Sequence, residues 1–527
     1  MRRVFCVLVV LAFVCALPTL SAFAEEVTVS SAMKGALFSS LWGGTQGDAF
    51  ARRLLNGLSP VYWDEEHHRY RQNGNVAEGI SISETPDGEK EYLIEFSQQL
   101  RFSDGSPVTA RDYALTVLVL ASPYMEELGA RGSAYCHLSG WSSYHTGKSR
   151  VFSGVRLIGD HQLALTIAPE YLPCFFESVL ISVTPLPMSA LFPELGIYDE
   201  GDGAFIASAE DSSRGGLSVD MLRAALLDPV TGYLSAPAVT SGAYSFVSFD
   251  GETLVLEENP YHSGPVVACS PMPDAFTCLA FACERKTLSS ANLRKAIALC
   301  VDRDGLLSAA QIGPDSAVNG FCSVNDPSLA HPANTLSWPY QSDMYAAVKL
   351  LEEDGWTLDE NGESYDAAYD GVHCRLEDGE LVRLSLSISY EMDGAFDDGA
   401  IAACLVDRLA QIGVELICEP LDTSELDRIA LSPGKRLSDL MLVSVEMSPD
   451  EDLSAFFKPN GAGNIFGIND PELYQAARNA YRTPEGDYAE YFANWLEFQS
   501  AFTGTLPAIP LYCVEYPYHI QDERNLS

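Results

Sequence analysis

The stretch RFSDGSPVTARDY, residues 101–113, sets Asp104, Asp112, Ser103, Ser106 and Thr109 around one glycine, the residue types of a hydroxyl nucleophile and its carboxylate. Such a nucleophile needs a base held beside it, and no histidine occurs between His68 and His137. The local pattern reads as structure instead. Ser103-Asp104-Gly105-Ser106-Pro107 is a turn in which glycine takes positive φ and proline sets the exit. Thr109 followed three residues later by Asp112 forms a capping box for a helix from Tyr113 to Ala121, apolar nearly all round and stopped before Pro123. That helix is expected to be buried.

DEEHHRY, residues 64–70, is the one acid and histidine cluster with the donors of a metal site. Adjacent His67 and His68 point to opposite faces of an extended chain, so they do not converge on one ion without further ligands. An exposed loop is the expectation, with no metal. The chain has no H-E-x-x-H, G-x-S-x-G, Walker loop, G-x-G-x-x-G or C-x-x-C. No catalytic constellation and no cofactor is expected.

The elements that must carry any site alternate along the chain. KEYLIEF (90–96) puts Tyr92, Ile94 and Phe96 on one face of a half-buried strand after the Asp87-Gly88 turn. AYSFVSFDGETLVLEENPYH (243–262) is a hairpin about Asp250-Gly251. SANLRKAIALCVDR carries Leu293, Ile297 and Cys300 on one helical stripe, and AIAACLVDRLAQIG carries Ile401, Leu405, Leu409 and Ile412 on another. Gly413 ends the second helix before the strand VELICEP, and Pro471 opens a later helix. The mixture predicts an α/β (mixed α+β) protein.

Composition sets the surroundings. Arg2 and Arg3, the apolar run Val4–Leu17 and Ala22-Phe23-Ala24 predict a secretory leader over residues 1–24, so that the exported chain starts at Glu25. Cys15 follows Phe13-Val14, a poor site for lipid attachment. A formal charge of −41 makes nucleic acid and anionic lipid unfavourable partners. Thirteen cysteines, two of them in the leader, leave an odd number scattered through apolar segments, as small core residues.

The order of several motifs resembles a known family. The run LNGLSPVYWDEEHHRYRQNGNVAEG, KEYLIEF and then RFSDGSPVTARDY is similar to the entry of the extracellular solute-binding proteins that serve ABC importers of oligopeptides, dipeptides and nickel. VTPLPMSA, SGAYSFVSF, LEENPYH, LRKAIALCVDRDGLL, AVKLLEEDGW and LVDRLAQIGVELICEP follow in that family's order. The resemblance implies a periplasmic-binding-protein-like clamp of two lobes. Residues 25–57, 177–278 and 506–527 would form a discontinuous first lobe, 58–176 an inserted second domain, and 279–505 the other lobe. It implies a monomer, in the periplasm or at the outer face of the membrane, that traps a peptide ligand between the lobes and hands it to ABC permease subunits, with no catalytic step. In peptide-binding members an acidic residue meets the ligand's ammonium; the corresponding segment here, VSVEMSPDEDLSAFF (443–457), offers Glu446 first and Asp450 second. Trp42, in SSLWGGTQGD, falls where such a clamp has its cleft-lining loop, as an aromatic wall or as core packing. Trp338, in SWPY, is a further aromatic candidate for ligand contact. A nickel chelate as ligand, a signalling role, and an exported hydrolase with an unrecognised site are the alternatives.

Overall fold

Asp274–Phe281, DAFTCLAF, is buried at all eight positions, as a central strand covered on both faces must be. The computed structural model, which describes residues 26–30, 33–262, 269, 274–331, 335–367, 371–392, 396–430, 436, 438–514 and 520–521, places it inside a five-stranded sheet. The order is Glu415–Leu421, Ser385–Glu391, Leu440–Met447, Asp274–Phe281 and Ala508–Val514. Ser385–Glu391 runs parallel to both of its neighbours; the other pairings are antiparallel. The helices Ala291–Cys300 and Asp398–Ala410 bury the predicted stripes, Leu293, Ile297 and Cys300 on one and Ile401, Leu405 and Leu409 on the other. Gly413 takes φ +68°, as a helix stop requires.

A second sheet holds the N-terminal lobe. Its strands are Tyr244–Phe249, Thr253–Glu258, Glu26–Ser30 and Ile520–Gln521, all antiparallel. The chain therefore passes between the two sheets twice, between Glu258 and Asp274 and again between Val514 and Ile520. The expected leader, residues 1–24, and the start at Glu25 lie outside the described residues.

A third sheet, Ala77–Glu84, Lys90–Phe96, Gln162–Ile167 and Val155–Gly159, belongs to the segment between the first strand and the crossings. Its core receives Tyr92, Ile94 and Phe96, the predicted face. The helix Ala110–Leu120 is buried at every position except Arg111, and Tyr113 stacks on Phe96 with centroids 3.8 Å apart. Gly105 has φ +83° in the preceding turn. The Asp112 carboxylate accepts the Thr109 backbone N–H at 2.8 Å and the Thr109 hydroxyl at 2.9 Å, and also the Met188 N–H at 3.1 Å. The opening motif is thus a fold element that ties two segments together. No helix among the described residues is long and apolar enough to cross a membrane. All eleven described cysteines are free thiols, most of them buried.

The lobes touch along one flank. Phe175 stacks on Tyr491 at 3.7 Å, and its N–H donates to the Tyr481 carbonyl at 3.0 Å. The Tyr70 hydroxyl donates to Asp450 at 2.5 Å. One apolar cluster runs from Trp63, Tyr70 and Phe176 into Tyr491 and Trp495.

Candidate functional site

The helix Gln46–Leu55 is polar on one row, and that row builds one wall of a cavity. Asp48 accepts the Thr45 N–H at 2.7 Å, closing the helix N-terminus, and the same carboxylate accepts the N–H groups of Lys34, Gly35 and Ala36. One turn on, Arg52 donates to the Ala36 carbonyl at 2.7 Å; another turn on, Asn56 donates to the Leu37 carbonyl at 3.0 Å. This four-residue spacing laces segment 34–37 to the helix and fixes Phe38, Ser39 and Ser40 beside it. The opposite face of the helix packs Ala51, Leu54 and Leu55 against Leu254 and Leu256 of the hairpin.

The cavity has a volume of about 550 Å³, within the usual range for small-ligand sites. The N-terminal lobe contributes Phe38–Ser40, Arg52, Arg53 and Asn56, together with Tyr135 and the extended segment Ser182–Thr184. The second lobe contributes Glu446 and Ser448. Glu446 is the penultimate residue of Leu440–Met447, opposite Ala275 on the central strand. The strand's alternation there buries Met447 and leaves Glu446 exposed to the cavity. Arg52 registers that carboxylate: burial pulls its pKa down from the ordinary arginine value, while Asp48 and then Glu446 push it back up. Arg53 also pairs with Glu65, a mostly exposed partner that does not line the cavity.

Of the four residues singled out from sequence, one lines this cavity. Asp450 lies four residues beyond Glu446 and accepts from Tyr70 and from the Ser448 hydroxyl, so it spans the lobes. Trp42 stands beside the lining residues Ser39 and Ser40, but its indole N–H donates to the Leu128 carbonyl at 2.8 Å and its ring packs on the large apolar cluster. Trp338 is 6% exposed in the second lobe's core, against Tyr340, with the Arg303 guanidinium 5.2 Å over its ring. Arg52, Arg53 and Asn56 were not anticipated. The signal present was an Arg-Arg pair in a chain of 32 basic against 73 acidic residues.

His67 and His68 sit in the loop between the strands Val61–Asp64 and Arg69–Gln72, with His67 on Asp64 at 2.9 Å. Among the described residues no group of three or more metal-ligand side chains is placed to hold an ion.

Residues 270–464 match the family described as bacterial extracellular solute-binding proteins, family 5, middle part. The periplasmic oligopeptide-binding protein OppA of Escherichia coli is 21% identical over 312 residues, 54% of this chain and 56% of that one. The match thus spans little more than half the length of that curated relative. OppA of Salmonella typhimurium is 28% identical over 120 residues, 22% of each chain. Among solved structures, lactococcal OppA complexed with an endogenous peptide in the closed conformation superposes with a TM-score of 0.63 at 16% identity, covering 94% of each chain. The oligopeptide-binding protein AppA of Bacillus subtilis in complex with a nonapeptide gives 0.59 at 15% identity, covering 93% of this chain and 92% of that one. The two-lobed fold therefore extends over nearly the whole chain.

Proposed function

We propose that this member of the family 5 extracellular solute-binding proteins captures peptides outside the cell, between its two lobes, and passes them intact to the permease of an ABC importer. The observation that carries the reading is Glu446. It is a carboxylate of the second lobe that faces a cavity walled by the first, about four hundred residues earlier in sequence. A peptide ammonium meeting that carboxylate forms a charge-assisted hydrogen bond of about 1.5–3 kcal/mol. The hydroxyls of Ser39, Ser40, Ser182 and Thr184 and the Asn56 amide supply donors and acceptors for peptide groups without dictating side chains. A ligand touching both walls favours the arrangement in which the walls are close, which is the condition for a clamp. No catalytic step is part of this role. The peptide-binding relatives support it, as does the surface charge, which suits an exported protein.

The test is mass spectrometry of small molecules that copurify with the native protein, followed by melting with the peptides so identified. Copurifying peptides that raise the melting temperature are expected. Peptides cleaved during incubation would make the chain a hydrolase. A chain that neither retains a peptide nor is stabilised by any peptide mixture has some other ligand.

A further inference from the structure

The lobes also meet around a notch that shares no residue with the cavity of Glu446. Its volume is about 390 Å³, room for a small organic molecule. Residues 66–69, from the acid and histidine run DEEHHRY, form one side; the second lobe supplies Ala330 and His331, with Tyr488 and Phe492 from the start of the helix Tyr488–Thr505. The carboxylates just ahead of Arg69 are spent elsewhere. Asp64 takes His67 and Arg71, each at 2.9 Å, and Glu65 takes Arg53. Glu66 is exposed, and no carboxylate among the described residues pairs with the Arg69 guanidinium. The Arg69 Nε and the His68 Nδ1 are both buried, and neither has a hydrogen-bond partner among the described residues. Polar atoms closed off from water and left unpaired weaken a fold, so two of them lining one notch call for an explanation. His68 is moreover held at φ +46°, in the left-handed region that a residue with a side chain rarely adopts. That conformation breaks the alternation of an extended chain, and both imidazoles line the notch instead of pointing apart. The facing wall is aromatic: the half-buried rings of Tyr488 and Phe492 have centroids 5.9 Å apart, and His331 lies 4.7 Å from Phe492.

We propose that this notch is a second ligand site, for a small aromatic carboxylate whose two oxygens meet Arg69 and His68 while its ring lies against Phe492 and Tyr488. Two unpartnered nitrogens that can donate require a group that only accepts, and a guanidinium matches the planar oxygen pair of a carboxylate. The wall of rings favours a flat apolar body. A metal ion is the wrong charge for a space that holds an unpaired guanidinium. Glu66 opposes the anion only from an exposed position, where water screens it. A molecule held in this way touches both lobes and favours the arrangement in which they meet. It therefore tightens peptide capture and is tightened by peptide in the same ratio. That coupling rests on the peptide reading above, whereas the binding step does not.

The experiment is calorimetry of the native protein with benzoate, the simplest member of the class, against benzamide, acetate and inorganic phosphate. Benzoate is expected to bind about tenfold or more tightly than each of the others, since benzamide lacks the charge, acetate the ring and phosphate both the ring and the planar oxygen pair. Arg69→Gln should weaken benzoate by about tenfold or more, and Arg69→Lys, which keeps the charge without the fork, should recover only part of that. Neither variant should melt below the native protein in the absence of ligand, because Arg69 has no partner to lose. Glu66→Gln should leave benzoate binding equal or stronger. Equal binding of benzoate and benzamide, acetate or phosphate that matches benzoate, benzoate binding that survives Arg69→Gln, or a lowered melting temperature for Arg69→Gln, which would make Arg69 a structural residue, each overturns the site. Peptides that copurify with the chain should bind more tightly when benzoate is present. Benzoate binding without that effect overturns the coupling, and benzoate binding by a chain that takes no peptide overturns the peptide reading while the second site stands.

Discussion

Tyr70→Phe isolates one contact between the lobes. The Tyr70 ring is 7% exposed and packs edge-on against Trp63, centroids 5.3 Å apart, and against Phe176. Phenylalanine keeps that packing and removes only the hydroxyl that donates to Asp450. Burial first, and the Asp450 charge second, hold the phenol pKa far above its ordinary value, so Tyr70 remains a donor at any working pH. A hydrogen bond to a charged acceptor contributes about 1.5–3 kcal/mol. Asp450 is only half-buried and keeps the Ser448 hydroxyl, so water replaces part of the loss and the lower end applies, about 1–2 kcal/mol. If the bond is specific to the arrangement with lobes in contact, that arrangement loses about five- to thirtyfold in population relative to the open one. Urea unfolding with a double-mutant cycle through Asp450→Asn measures the coupling, and small-angle scattering of the ligand-free protein measures the opening. The expected outcome is a coupling near 1 kcal/mol with a larger radius of gyration for Tyr70→Phe. A coupling below about 0.3 kcal/mol, with unchanged scattering, would refute the claim that this bond holds the lobes together.

Three further outcomes are expected. Glu446→Gln should weaken peptides with a free amino terminus by tenfold or more and leave N-acetylated ones nearly unchanged, read by calorimetry; equal loss for both removes Glu446 from the ammonium site. Gly105→Ala should cost about 1–3 kcal/mol in chemical unfolding while ligand affinity in the folded fraction stays at the native level, because φ is +83° and an added Cβ would lie 2.7 Å from the Tyr261 hydroxyl oxygen. Asp326 is buried and accepts from Tyr491 at 2.9 Å, and desolvation raises its pKa to about 6. A carboxyl raised on folding favours the native state most when it is protonated. Its contribution should therefore fall by about 2–3 kcal/mol as pH rises from 4 to 7; Asp326→Asn should lack that slope, so that the difference between the native and variant stability curves shows it.

What could be read from the sequence was whatever depends on near neighbours. Period-two alternation found the face of Lys90–Phe96, and period-3.6 stripes found the buried sides of Ala291–Cys300 and Asp398–Ala410, because each pattern reports burial of one element at a time. The Thr109–Asp112 box was legible for the same reason, whereas the bond from Met188 to the same Asp112 was not, since its donor lies 76 residues on. The cavity is assembled from segments as far apart as Phe38 and Glu446, and no local pattern states what a polar helix row faces. Trp42 and Trp338 show the limit from the other side. A loop tryptophan that packs and one that meets a ligand leave the same trace in a sequence, because both are apolar residues among turn formers. Only partners 86 residues away for Trp42, and the Arg303 guanidinium for Trp338, show what each ring touches. Arg52 and Arg53 were the readable clue that pattern analysis passed over. What each guanidinium meets depends on partners no local pattern names: Arg52 donates to the Ala36 carbonyl beside Asp48 and Glu446, and Arg53 pairs with Glu65, so that the row facing the cavity is settled only by the fold.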